Sequence, residues 1–250
     1  MTDALLWLPL VAFAAGFIDA IAGGGGLLTV PALLSAGLPP HLALGTNKLA
    51  ATFGSSTAAF TFYRKRLFQP QHWQVAALAT AIGAVLGVLV ISHLDARWLE
   101  KLLPLLIGAT ALYTLLMPTP AITVGQPPAP APALRQGLQG LLLGAYDGGF
   151  GPGTGAFWTV SNLWLHRLDM LRASGLARAM NFISNGVSLV TFAWLGHIHW
   201  QLGLAMGVAL MAGAYLGAHS AIRFGGRFIR PVFILVVMLM ATKLAWEAWL

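Results

Sequence analysis

"GFIDAIAGGGGLLTVPALLSAGLPP", residues Gly16 to Pro40, decides how this chain is read. It is an apolar stretch broken by four consecutive glycines, Gly23 to Gly26, with a carboxylate, Asp19, just before them. The apolar region around it, Ala4–Leu38, is just over 30 residues. As one helix it would measure about 48 Å, too long for a straight crossing of a hydrocarbon core of about 30 Å. After the glycines only about 11 residues of apolar run remain, too few to cross alone. The spacing predicts two half-helices joined at membrane depth. A second region, Leu134–Leu165, repeats the design, with "GGFGPGTG" at Gly148–Gly155 as its break and a following run of about 12 residues.

Composition sets the environment. Of 250 residues, 58% are hydrophobic and 8% charged, with a mean hydropathy of +0.77. A soluble domain carries about a quarter charged residues, so the chain is expected to be an all-α polytopic membrane protein. There is no cysteine, which excludes disulfides, thiol nucleophiles and Cys-ligated metals. The formal charge is +7, but the basic residues are scattered singly between apolar spans and form no aromatic-interleaved face, so no nucleic-acid partner is expected. The start, Met1-Thr2-Asp3, lacks a basic region, so the first apolar segment is read as part of the mature protein.

Six further stretches are long enough to span: Leu42–Tyr63, Trp73–Ser92, Trp98–Met117, Met170–Leu195, Leu202–Ile222 and Phe228–Trp249. Trp and Tyr mark many of their ends, as in an interfacial belt. "PTPAITVGQPPAPAP" at Pro118–Pro132 holds six prolines and reads as an extended linker. The expected organisation is a first repeat over 1–117, a linker over 118–133 and a second repeat over 134–250.

The halves match in order. "GFIDAIAGGGG" from Gly16 aligns with "GAYDGGFGPGTG" from Gly144, placing Asp19 with Asp147. "GTNKLAATFGSSTAAFTF" from Gly45 aligns with "GLARAMNFISNGVSLVTF" from Gly175, placing Lys48 with Arg178. His72-Trp73 aligns with His199-Trp200, and "GAVLG" from Gly83 with "GAYLG" from Gly213. Matches in one order at a near-constant offset indicate duplication.

Charge decides between parallel and inverted repeats. If both broken regions cross the membrane, the basic residues outside the spans divide almost evenly. If each is a re-entrant hairpin, Arg64, Lys65, Arg66, Arg135, Arg167, Arg172, Arg223, Arg227 and Arg230 share one side. Only Arg97, Lys101 and Lys243 share the other. That is a positive-inside bias. Each half then has a glycine-broken hairpin plus three transmembrane helices, and the odd number inverts the repeats, a transporter plan. Both termini are expected outside the cytoplasm.

The breaks point to an anion. The half-helix after each break aims free N–H groups and a positive dipole end at the midplane, and glycine allows close approach to the backbone. The candidate substrate-binding residues are Gly24, Gly25, Gly26, Thr46, Asn47 and Lys48 of the first half. Gly153, Thr154, Gly155, Arg178, Asn181 and Asn185 complete them in the second. Lys48 and Arg178 lie inside apolar spans, where a charge needs a partner or a wet cavity. They either neutralise the anion or pair with Asp19 and Asp147. Those acids sit where the helix dipole disfavours negative charge, so either a cation holds each ionised or one carries a proton. Gly83, Gly87, Gly213 and Gly217 read as close helix packing. His197-x-His199 lacks a third ligand, so no metal is expected. No cofactor, nucleophile–base pair or P-loop is present, so no enzyme and no ATP hydrolysis are expected.

The first-half run from Gly16 through "GTNKL", with "GAYDGGFGPGTGAF" and "NFISN", resembles the signatures of the TauE/SafE family of sulfite and organosulfonate transporters. The likeness covers essentially the whole chain. It implies a secondary transporter of the bacterial inner membrane that exports sulfite, sulfoacetate or other sulfonates. Arg178 stands where the resemblance implies Lys, and a guanidinium binds an oxyanion bidentately where an ammonium is a point charge. An anion gains about 2.3 kcal/mol per 100 mV on leaving a negative cytoplasm, so export of a monoanion requires no ATP. The expected partners are a small anionic substrate and the lipid bilayer, with a homodimer left open. A passive anion channel, a transporter of another small organic anion and a non-transporting subunit stay open as alternatives.

Overall fold

The computed structural model describes residues 2–99, 101–103, 105, 109 and 132–225. The expected span Phe228–Trp249, most of Trp98–Met117, nearly all of the linker, and Arg227, Arg230 and Lys243 lie outside the described residues. Every regular element described is helical. The first half contains α1 (Thr2–Ala22), α2 (Gly25–Ser35), α3 (Pro40–Arg64), a 3-10 turn at Pro70–Trp73 and α4 (Gln74–Ser92). The second contains α5 (Ala133–Gly149), α6 (Thr154–Leu165), α7 (Met170–Trp194) and α8 (Trp200–Phe224).

Both glycine runs break the helix. The segments after them, α2 and α6, have 11 and 12 residues. Before the first break, however, α1 has 21 residues and is no half-helix. The break falls late in the apolar region, so α1 keeps a full membrane length. Three described helices are long and apolar enough to cross a membrane: Leu5–Ala22, Pro70–Ser92 and Trp200–Phe224. α3 and α7 have 25 residues each, but their inner turns carry Lys48 or Arg178 with runs of Ser, Thr and Asn.

Packing fixes the directions. α1 and α8 run parallel: Leu8 clusters with Met206, the backbone of Phe13 and Phe17 meets Gly213 and Gly217, and Ile21 clusters with Ala218 and Ala221. α3 runs parallel to α8 as well, with Leu49 on Gly203, Phe53 on Gly207 and Leu210 on Gly54. α4 and α5 are parallel, with Ala76, Thr80 and Ala84 against Gly140, Gly144 and Gly148. α7 runs opposite to α3, since Phe62 packs on Gly175 and Phe192 on Gly45. It runs with α4, since Ala76 clusters with Ala177 and Thr80 meets Met180. Thus α1, α3 and α8 point one way, and α4, α5 and α7 the other.

α2 folds back along α1, with Gly25 beside Asp19 and Leu33 in the cluster of Leu8. α6 folds back along α5, where Gln139 Nε2 donates to Ser161 Oγ at 2.7 Å and Tyr146 meets Phe157. Each broken region therefore returns the chain to the end it came from. Among the described residues, Arg64, Lys65, Arg66, Arg135, Arg167, Arg172 and Arg223 gather at one set of helix ends, and Arg97 and Lys101 at the other.

The close helix pairs depend on glycine. A Cβ on Gly213 or Gly217 would strike the carbonyls of Phe13 or Phe17, and one on Gly83 or Gly87 those of Leu141 or Ala145. In lipid, where apolar tails give no hydrophobic drive between helices, such backbone contact is a main source of packing energy. It joins α1 to α8 and α5 to α4, so each half is sewn to the other.

Candidate functional site at the two helix breaks

The breaks face each other. At the first, Gly23 takes φ +85°, a left-handed conformation that side chains resist. At the second, Gly151 takes φ +90° at the matching position. They touch directly: Ala156 N–H donates to Gly23 O at 3.2 Å. Asp19 Oδ1 accepts the Gly25 N–H at 3.0 Å and so caps the N-terminus of α2. Thr154 Oγ donates to Gly151 O at 2.8 Å, closing the turn into α6.

Two buried cations lock this arrangement, and each comes from the half opposite its acid. Lys48 Nζ lies 2.7 Å from Asp147 Oδ1, also donates to Asp147 O, and donates to Asn185 Oδ1 at 3.1 Å. Its three donors are all used. Ser184 Oγ donates to Asp147 Oδ2. Arg178 Nη1 donates to Asp19 O and lies 3.6 Å from Asp19 Oδ2. Its Nη2 donates to Gly155 O at 3.2 Å, and its Nε to Ser174 O at 3.4 Å. Arg178 thus joins the carbonyl ends of one break to the backbone of the other. Both cations meet the last turns of α1 and α5, where the dipole is negative, and Asp19 O also accepts the Gly23 N–H at 2.9 Å. Of the two roles open to Lys48 and Arg178, pairing with the acids is the one seen here.

Between the breaks is a cavity of about 30 Å³. Of the residues expected from sequence, Gly25, Gly26, Asn47, Gly153, Gly155, Asn181 and Asn185 line it, together with Asp19 and Asp147. Gly24, Thr46, Lys48, Thr154 and Arg178 are set back from its walls. Gly24 precedes α2 and accepts the Leu27 N–H. Thr46 Oγ accepts the His199 N–H at 2.9 Å, on the far side of α3 from the breaks. The sequence reading missed Gly23, Gly151 and Thr29. Thr29 lies one turn into α2, and its Oγ donates to Gly25 O and, at 2.5 Å, to Asn47 Oδ1. A threonine one turn past the glycines was the signal.

These bonds orient the amides. Asn47 Oδ1 is taken by Thr29 and Asn185 Oδ1 by Lys48, so each side chain has its NH2 group left to serve the cavity. Asn181 Nδ2 lies against Gly155. First-turn N–H groups such as those of Gly26 and Gly155 have no intrahelical acceptor. The walls therefore place these donors beside acceptors, the carboxylates of Asp19 and Asp147 and the unpartnered Asn181 Oδ1, and the two cations balance the two acids. The donors among them suit oxyanion oxygens.

The histidines lie elsewhere. The His197 ring stacks on His41, with centroids 5.3 Å apart, and His199 Nδ1 accepts the Leu202 N–H at the start of α8. His166 follows α6, where burial, reinforced by nearby Arg135, pushes its pKa down to about 4. Among the described residues no group of three or more His, Asp or Glu is placed to hold a metal ion.

The family profile described as sulfite exporter TauE/SafE matches residues 8–244. A probable membrane transporter protein of Haemophilus influenzae is 39% identical over 98% of this chain and 96% of its own. A probable membrane transporter protein of Sinorhizobium is 38% identical over 96% and 92%. The probable membrane transporter protein YfcA of Escherichia coli K12 is 35% identical over 95% and 88%. No solved structure gives a significant match.

Proposed function

The chain belongs to the sulfite exporter TauE/SafE family of membrane transporters, and from that premise we propose that it is a secondary transporter exporting small sulfur-containing oxyanions across a bacterial inner membrane. The anion is held between the two breaks by the amide NH2 groups of Asn47, Asn181 and Asn185 and by the first-turn N–H groups of α2 and α6. Lys48 and Arg178 stand behind them, hold the breaks in register and supply positive potential. The observation that carries this reading is the cavity at the meeting of the two breaks, with the NH2 groups of Asn47 and Asn185 and first-turn N–H groups on its walls.

The two halves work as inverted repeats. Their matched helices support this, since α1 and α5, α3 and α7, and α4 and α8 point opposite ways. The uneven division of basic residues supports a cytoplasmic Arg64 end and termini outside. A cavity of about 30 Å³ has room for about two waters, less than a four-atom oxyanion needs. On this reading the cavity widens to load, as a carrier's site does. The halves rock about the site, and the Gly23–Ala156 contact is what their separation opens.

The test is a flux screen in proteoliposomes with sulfite, sulfate, thiosulfate, sulfoacetate and simple carboxylates. Saturable, counter-anion-stimulated flux of the sulfur oxyanions is expected. Flux of none of them, or flux that never saturates, overturns the proposal.

A further inference from the structure

The end of α3 differs from its counterpart in the second half. Continuing the repeat alignment places Tyr63-Arg64-Lys65-Arg66 against Ala193-Trp194-Leu195-Gly196. Both ends fold alike. Arg66 N–H donates to Tyr63 O at 2.8 Å and Leu67 N–H to Phe62 O at 3.2 Å, while Gly196 N–H donates to Ala193 O and His197 N–H to Phe192 O. Both caps hold a left-handed residue, at φ +56° for Arg66 and +74° for Gly196. Glycine is the usual residue there, because a side chain resists that conformation. The first half accepts the strain and sets three adjacent exposed cations at one helix end. Among the described residues none of the three pairs with an acid. The helix dipole and the positive-inside bias both favour cations at this end. Neither asks for arginine at the left-handed position.

These cations stand at the mouth of an apolar groove. Arg64 and Arg66 line a recess of about 500 Å³ together with Tyr63, Phe68 and Pro70. The same Tyr63, Phe68 and Pro70 also wall a groove of about 360 Å³. Its other walls include Ala59 and Phe60 of α3, Trp73 and Ala77 at the entry to α4, and Met180 and Ile183 of α7. No charged side chain among the described residues lines it. The Arg64 guanidinium lies 5.8 Å from the Phe60 ring centroid, so charge and apolar wall are continuous. Lys65 continues the basic surface beside Arg64 toward Tyr215 and His219 of α8.

We infer that the groove and its basic mouth bind an acidic phospholipid, with an acyl chain along the groove and the headgroup phosphate on Arg64, Lys65 and Arg66. The ligand this shape takes is anionic at one end and apolar along its length. Basic pockets between transmembrane helices take such headgroups. A free phosphate would leave the groove unused. A second copy docked on this face, inserted the same way, would bring its own three cations beside these. The groove runs from α3 of the first half to α7 of the second, so a lipid lying in it ties the halves together. The inference requires the membrane setting of the chain and is independent of the anion-transport reading above.

The experiment uses the full chain, delipidated in a neutral detergent. It is titrated with dioleoyl phosphatidylglycerol, with dioleoyl phosphatidylcholine, or with glycerol phosphate. Native mass spectrometry reports binding and the thermal unfolding midpoint reports stabilisation. Phosphatidylglycerol should bind and raise the midpoint, and the other two should do neither at the same concentration. Arg64→Gln and Lys65→Gln should each weaken binding about fivefold. Arg66→Gly keeps the cap, so it should weaken the lipid equally while leaving the lipid-free protein at least as stable. Ala77→Phe fills the groove and should weaken binding, whereas Arg223→Gln, at the same set of helix ends but outside both recesses, should not. Equal affinity for the two phospholipids, protection by glycerol phosphate alone, or an equal loss in Arg223→Gln overturns the inference. So does unchanged binding in Ala77→Phe, the result expected if another segment of the chain or a second copy fills the groove. If Ala77→Phe fails to fold, the headgroup variants and the two phospholipids decide.

Discussion

Lys48 of the first half and Asp147 of the second lie 2.7 Å apart, both buried, with Asp147 at the last turns of α5. Arg178 of the second half and Asp19 of the first form the reciprocal pair at the end of α1. Each broken helix is thus finished by a cation from the other half, and neither half is complete alone. Removing one partner of such a pair leaves an uncompensated buried charge, at a cost of about 3–5 kcal/mol. Lys48→Met should lower the thermal unfolding midpoint in detergent markedly, followed by tryptophan fluorescence. Lys48→Met combined with Asp147→Leu should recover part of the loss. A single variant as stable as the parent would show that the pair does not hold the halves together.

The glycine contacts sort into two classes. Gly144→Ala puts a methyl into the Thr80 backbone, and Gly213→Ala puts one into the Phe13 carbonyl. Each should cost about 1–3 kcal/mol and reduce folded yield. Gly186, inside α7, has nothing within 4 Å of an added Cβ. Gly186→Ala should be neutral or raise stability by up to about 1 kcal/mol through helix propensity. Size-exclusion yield and unfolding midpoints distinguish the classes, and equal losses at all three positions would contradict the packing account.

The topology has a direct chemical test, because the chain has no cysteine. Arg97→Cys and Lys65→Cys lie at opposite helix ends. In intact cells a membrane-impermeant thiol reagent should label Arg97→Cys and leave Lys65→Cys unlabelled until the membrane is opened. A cytoplasm-dependent reporter fused at Leu250 should be silent. Labelling of both sites, or of Lys65→Cys alone, would refute the assigned sidedness.

Much of this arrangement was legible in the sequence for physical reasons. Glycine runs inside apolar segments are costly in lipid unless buried in protein, so the breaks and their short following helices could be read directly. The basic residues among those described divide between the two sets of helix ends as the sequence expectation has them. The length of α1 was misread, because counting apolar residues locates a region but not where in it the chain bends. Which cation meets which acid was hidden too. Lys48 and Asp147 are 99 residues apart, and nothing local at either position records the other. The retreat of Lys48 and Arg178 from the cavity wall follows from that pairing, since a saturated ammonium has no donor to spare.

His166 gives a pH signature outside the spans. Its pKa is pushed below the ordinary histidine value, to about 4, by burial and Arg135. Its Nε2 meets Gln139 Oε1 at 2.6 Å, and its ring packs edge-on to Trp73. The unfolded chain therefore binds the proton more readily, and stability falls as pH drops from about 6.5 toward 4. His166→Gln should flatten that decline in a thermal-unfolding series over this range. An unchanged slope would show that His166 does not set it.

The central claim is that a small anion binds between the two breaks on neutral donors. The most direct measurement is saturable sulfite flux in proteoliposomes for the parent, Asn47→Ala, Asn185→Ala and Lys48→Ala at matched folded protein. Loss of at least about tenfold is predicted for both asparagine variants, the effect of losing one good hydrogen bond at about 1.4 kcal/mol. Lys48→Ala is predicted to lose flux with them. Full flux in Asn47→Ala and Lys48→Ala at normal abundance would contradict the site.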